Sequence, residues 1–420
     1  MIRIVDISAI WILDSRGNPT VQATMQVERD GQYFEAVAGV PSGASTGAHE
    51  ALEMRDGGTA WGGKGVEKAI AHINLDIKNS LVGSHFERAD QIDEHLLRLD
   101  GTENKSKLGA NAILGVSIAA HKVFAAAHGM THYDYLRDLY FSHVTTNNFP
   151  RLMSNVINGG AHASNGLSIQ EFMVIPNTGN ILSDVQKASE LYQNLKKLLT
   201  KQGLSTGLGD EGGFAPELAG TRAALDLLQE AKKTVADGDQ IDLAMDCAAT
   251  EFFNTNTEKY LLDGKTLSGD EISQFYTDLI QDYPIISIED GCSEDDIDGW
   301  KTLTDQIGKK VQLVGDDLFV TNSRRFIELG VNKNIANSVL IKLNQIGTVK
   351  ETCDIINLSK TNHYTTISSH RSGETSDAFM SDLAFAAQCE FIKLGAPARG
   401  ERVAKYNRLI EIYHQVNTSK

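Results

Sequence analysis

The chain has 420 residues, with 39 basic against 55 acidic side chains, a formal net charge of −16, 41% hydrophobic residues and 37 glycines. That composition is globular and excludes collagen, coiled-coil and wholly disordered classes. An acidic surface of this size argues against general nucleic-acid binding, although a few basic residues in a cleft still suit one small anionic ligand.

Three β-branched runs open the chain: "IRIVDISAIWIL" at 2–13, "TVQATMQVE" at 20–28 and "YFEAVAGV" at 33–40. They predict strands, and Arg29-Asp30-Gly31 predicts a hairpin turn. The first residues carry Asp6 and no cleavage pattern, so no signal peptide is expected. After "PSGASTG" at 41–47, apolar residues recur at three and four, which predicts helices near 65–80, 87–99 and 108–128. The most apolar stretch, 110–127, is interrupted by Asn111, Ser117, His121 and Lys122. A buried helix is expected there, not a membrane span. Strands followed by helices make residues 1–135 a small α+β domain. Residues 136–150, with Thr145, Thr146, Asn147, Asn148 and Pro150, read as a linker.

From about residue 170, short apolar runs alternate with helical patterns. The runs are "EFMVIP", "IDLAMD", "PIISIED", "VQLVGDD", "SVLIK", "YTTISSH" and "EFIKLGA". Helices are expected at 183–202, 221–236, 270–282, 323–330 and 376–388. Such alternation implies parallel strands joined by crossovers, and this many units suggest a closed barrel over residues 151–420. The fold class is therefore α/β, with a smaller α+β domain in front.

Each late strand ends on an ionisable residue: Asp246, Glu289, Asp316, Lys342, His370 and Lys393, at gaps of 43, 27, 26, 28 and 23 residues. The C-terminal rim of a parallel barrel is where catalytic side chains collect. Asp246, Glu289 and Asp316 are three hard oxygen ligands that suit Mg²⁺, or else caps for the helices that follow. Lys342 is either a snorkelling side chain or a functional cation. Beside a divalent metal its pKa is expected to fall, which would let it act as a general base on a proton α to a carboxylate. Arg371 and Ser372, in "SSHRSGE", suit a phosphate, while helix capping is the alternative for Ser372. Glu211 sits between glycines in "LGDEGGFAP", a constrained loop that is either a site element or a plain turn.

Other signals are rejected. Residues 207–212 match G-x-G-x-x-G, but a helical pattern precedes them where a dinucleotide site needs a strand. "GTAWGGK" at 58–64 resembles a phosphate loop, but Gly65 stands where Ser or Thr is needed. Cys247, Cys292, Cys353 and Cys389 are scattered with no C-x-x-C, which predicts reduced thiols in a cytoplasmic protein.

With these residues in view, the sequence resembles the enolase family. The blocks that carry the resemblance are "DSRGNPTV", "PSGASTG", "EALEMRDG", "NGGAH", "IQEFM", "GDEGGFAP", "SIED", "GDDLFVTN", "IKLNQIGT", "SHRSGET" and "IKLGAPAR", in order along nearly the whole chain. The resemblance implies a lyase of glycolysis and gluconeogenesis that reversibly dehydrates 2-phospho-D-glycerate to phosphoenolpyruvate through an ene-diolate. It implies an eight-stranded barrel that begins ββαα, so that its second strand is antiparallel. Two Mg²⁺ are implied, the first held by Asp246, Glu289 and Asp316, the second arriving with substrate and helped by Ser45. Lys342 would take the C2 proton. Glu211, with Glu171 beside it, would protonate the departing hydroxyl. Arg371 and Ser372 would hold the phosphate with His162 closing over it, Lys393 would lie on the carboxylate side, and His370 would lie close to the substrate. A cytoplasmic homodimer is implied, an octamer in some members, with a cell-surface or secreted fraction as the alternative location. Gly291, Cys292 and "QCEFIK" depart from the family's usual pattern without replacing any residue in these roles.

Overall fold

The computed structural model describes residues 1–43 and 49–418. The chain opens with β1 (Ile2–Leu13), β2 (Pro19–Arg29) and β3 (Gln32–Gly39), and a short β4 (His85–Phe86) completes an antiparallel sheet in the order β3-β2-β1-β4. The hairpin stands where the turn signal put it. Asp30 and Gly31 both take positive φ, 53° and 80°, the pair of left-handed residues that matches the twist of the flanking strands. The helix Ala110–Ala127 covers this sheet and is buried on nearly every side. At Gly115 an added Cβ would lie 3.1 Å from the Ala23 Cβ, so the absent side chain permits the close approach.

A helix, His132–Tyr140, runs across the boundary into the stretch expected to be a linker; it is capped by the Thr131 hydroxyl and packed through Tyr133 on Phe385. Its apolar face was hidden among charged and hydroxyl residues.

Eight strands then close a barrel. They are β5 (Arg151–Asn158), β6 (Glu171–Pro176) and β7 (Ile241–Asp246) and, after a small sheet of β8 (Phe253–Asn254), β9 (Lys259–Leu262) and β10 (Lys265–Leu267), the strands β11 (Ile285–Glu289), β12 (Gln312–Gly315), β13 (Ser338–Ile341), β14 (Thr365–Ser369) and β15 (Phe391–Lys393). β6 runs antiparallel to both neighbours, and every other barrel pairing is parallel. The chain passes from β5 to β6 without a crossover helix, which forces the reversal. Two long helices, Ile181–Lys201 and Thr221–Lys232, then return it to the end it left, so β7 resumes the common direction.

The barrel interior places the site. Met153, Met173, Ala244, Val314, Leu340 and Ile367 form an apolar plug inside it. Side chains two positions apart on a strand face the same way. The interior positions one step beyond that plug are Asn155, Glu171, Asp246, Asp316, Lys342 and Ser369. A dry lower layer thus carries a polar layer at the C-terminal rim. The N-terminal domain lies over that rim: Ser42 and Gly373 exchange backbone hydrogen bonds of 2.7 and 2.9 Å, and the Ser15 hydroxyl donates to the Ser372 carbonyl.

Candidate active site

One cavity at the rim is lined by Glu50, His162, Glu171, Glu211, Asp246, Asp316, Lys342, His370, Arg371, Ser372 and Lys393, among others. It brings together nearly all the residues singled out in the sequence. Glu289 lies just below, fully buried, and Ser45 lies outside the described residues.

Lys393 is the hub of the deeper half. Its Nζ donates to Asp246 Oδ2 at 2.8 Å and to both Glu289 oxygens at 3.0 Å, and it lies 3.2 Å from Glu171 Oε1. Burial works against this ammonium, but the carboxylates around it outweigh burial and hold its pKa well above the usual lysine value. Burial likewise tends to raise Asp246, but Lys393 outweighs it and holds the carboxyl low. For Glu289 burial and the nearby Asp246 act together, so its pKa rises.

Lys342 pairs with Asp316 through a short contact. The expectation for Lys342 was a lowered pKa; in this structure burial pulls it down, but Asp316 outweighs burial and the net direction is up. That expectation is for Lys342 beside a divalent metal; the upward direction belongs to Lys342 paired with Asp316 alone. Asp316 is held further by Gln345, whose Nε2 donates to Oδ1 at 2.8 Å.

Glu211 and Glu171 face each other beneath His162, and the three offer ligand atoms within 4.8 Å of one another. Burial tends to raise Glu211, but His370, His162 and Lys393 outweigh it and hold it low. Glu171 is pushed up, first by burial and then by the Glu211 charge. Two close carboxylates of this kind titrate as one unit, Glu171 pushed up and Glu211 held low. The loop that supplies Glu211 depends on its glycines: a Cβ on Gly213 would fall 2.5 Å from Asn158 Oδ1, and Gly212 has φ +85°. Asn155 Nδ2 donates to Glu211 Oε2 at 3.1 Å.

Arg371 is already gripped. Its Nη1 and Nη2 donate to the two oxygens of Glu50 at 3.1 and 3.2 Å, and Nη1 also reaches Asn344 Oδ1 at 3.3 Å. An anion entering here meets a guanidinium whose fork is turned to an N-terminal-domain carboxylate.

Sequence reasoning missed several of these residues. Asn155 and Gln345 orient carboxylates, and Gln345 lay within a quoted block without a role. Asp290, at φ 42°, accepts from the Asp316 and Asp317 amides at 2.9 Å each and so shapes the turn that aims Asp316. Asp317 is pushed up to about 8 by burial and by Asp316. Gly291 and Cys292 fit their places: a Cβ at 291 would come 3.0 Å from Leu303 Cδ2, and the Cys292 thiol is buried.

Two family models match the chain: "Enolase, N-terminal domain" over residues 4–136 and "Enolase, C-terminal TIM barrel domain" over residues 146–420. The chain belongs to the enolase family. It is accordingly an enzyme of the enolase superfamily, of lyase type, acting on a small molecule. Members of the family use Mg²⁺, and the residues present fit such an ion. The donors Asp246, Glu289 and Asp316 are all oxygen, and Glu171 Oε2 is buried without a hydrogen-bond partner among the described residues. Among the described residues the ligand groups that converge within 4.8 Å are His162, Glu171 and Glu211, and Asp290, Asp316 and Asp317; Asp246 and Glu289 are turned to Lys393, and Asp316 to Lys342.

Proposed function

We propose that this chain reversibly dehydrates 2-phospho-D-glycerate to phosphoenolpyruvate. The observation that carries the reading is one cavity holding Lys342, the Glu171–Glu211 pair and the Arg371–Ser372 turn together. Lys342 takes the proton from C2, and Asp316, which holds it as the ammonium here, must release it first. The Glu171–Glu211 pair, which shares a proton, delivers one to the C3 hydroxyl as it leaves. Arg371 and Ser372 receive the phosphate, and Glu50 must yield the guanidinium fork when they do. Lys393 and His162 complete the charge and cover around the substrate. Asp246, Glu289 and Asp316 would hold Mg²⁺, with Ser45 aiding a second ion; bound Mg²⁺ supplies the positive charge that makes a proton beside a carboxylate removable.

The test is a substrate comparison with purified protein and Mg²⁺. Turnover of 2-phosphoglycerate with none of the same hydroxy acid lacking phosphate supports the reading. Turnover of the non-phosphorylated acid alone would replace it with a related lyase or racemase activity.

A further inference from the structure

The helix Gly400–Thr418 begins with a guanidinium shut away from solvent: Arg402 is 0% exposed. A permanently charged group is expensive to bury unless acceptors surround it. Nη1 donates to His370 Nδ1 at 2.6 Å and to the Arg371 carbonyl. Nη2 donates to the Ser372 carbonyl at 2.6 Å and the Asp210 carbonyl at 3.3 Å. Nη2 also reaches the Ser15 hydroxyl at 3.5 Å, but the closer acceptors belong to His370, Arg371 and Ser372 or adjoin Glu211.

The bond to His370 restricts that ring. Arginine carries only donors and does not deprotonate in proteins, so His370 Nδ1 must be the acceptor. A neutral imidazole with a lone pair on Nδ1 carries its hydrogen on Nε2. His370 Nε2 lies 3.2 Å from Glu211 Oε2, close, though not aligned as a full hydrogen bond. Burial, opposed by Glu211 and aided by the Arg402 cation, pushes His370 down to about 4, so the ring is neutral at neutral pH.

We propose that Arg402 is a positioning residue that locks His370 as its Nε2–H tautomer, so that the ring presents a hydrogen to Glu211 while the same guanidinium ties the 370–372 turn to the Glu211 loop. Without it, the ring can take the Nδ1–H form and turn a lone pair on the Glu211 carboxylate. Lys342 keeps its own partner, Asp316, and is untouched by that change. The catalytic part of the inference rests on the proposed role of Glu211; the tautomer does not depend on any reaction.

The first measurement uses the intact wild-type protein labelled with ¹⁵N-histidine. Long-range ¹H–¹⁵N spectra at neutral pH, with His370→Asn to assign the signal, should show a neutral Nε2–H ring at His370. An Nδ1–H or imidazolium pattern overturns the proposal. The second compares C2-proton exchange with water loss in Arg402→Met and Arg402→Lys. In Arg402→Met water loss should fall about 10- to 100-fold, the range for removing a histidine's orienting partner, with exchange within about threefold of wild type. Arg402→Lys, which keeps one donor, should recover part of the loss. Equal loss of both steps with the tautomer unmoved overturns the proposal. If Arg402→Met does not fold, the wild-type spectrum and Arg402→Lys decide. A wild-type protein with the Nε2–H signal but no turnover of 2-phosphoglycerate overturns only the substrate reading.

Discussion

Asp93 should make the protein less stable as pH rises. It sits in the helix Asp90–Asp100 with 0% exposure, against the barrel helix Val349–Thr361. Its Oδ2 accepts from the Lys350 amide at 2.9 Å, and Oδ1 has no hydrogen-bond partner among the described residues. Burial, reinforced by Glu351 and Asp90 and opposed by Ser117 and the Lys350 amide, pushes its carboxyl from 3.8 up to about 7. Between those values the folded chain keeps a proton that the unfolded chain has lost. Stability therefore falls as pH rises through this window and levels off above about 7. The full effect is at most about 4 kcal/mol. Asp93→Asn keeps the shape, and its amide oxygen can still accept from Lys350, but it carries no charge. Urea denaturation of both proteins at about pH 5.5 and about pH 8 checks this. The variant should gain about 2 kcal/mol on wild type between the two conditions, the part of the effect that lies above about pH 5.5. Parallel pH profiles would refute the reasoning.

Three further outcomes are expected. Lys342→Ala should abolish C2-proton exchange with solvent, while Glu211→Gln should retain exchange and block water loss, each costing at least about 10²-fold in turnover; near-wild-type exchange in Lys342→Ala would remove the base assignment. All four cysteines are buried, with thiols pushed up first by burial, so a disulfide-exchange reagent should label none in the folded protein and all of them in denaturant. Gly213→Ala should lose about 1–3 kcal/mol by thermal melting and reduce turnover as well, because its methyl would displace Asn158 beneath Glu211.

Much of the rim was legible because barrel strands are short β-branched runs and their last residues point at the site. "IDLAMD", "PIISIED" and "SVLIK" announce both the strand and its functional end. β5 was not legible as a strand: "RLMSNVIN" places Ser154, Asn155 and Asn158 where an apolar run was sought. Those polar residues are buried because they serve the site and its frame, Asn155 on Glu211 and Ser154 on the Tyr406 hydroxyl. The direction of β6 leaves no mark in "EFMVIP" and came only with the family resemblance. Long-range electrostatics were also silent. Glu50 and Arg371 are 321 residues apart, and nothing local to either says that they pair across the two domains. The raised pKa of Lys342 follows from the same kind of contact, with Asp316 on a neighbouring strand end.

Purified protein should convert 2-phosphoglycerate to phosphoenolpyruvate with Mg²⁺ present, followed by the product's ultraviolet absorbance, and excess chelator should stop it. Folded protein that forms no phosphoenolpyruvate with Mg²⁺, or forms it equally well in chelator, would contradict the account.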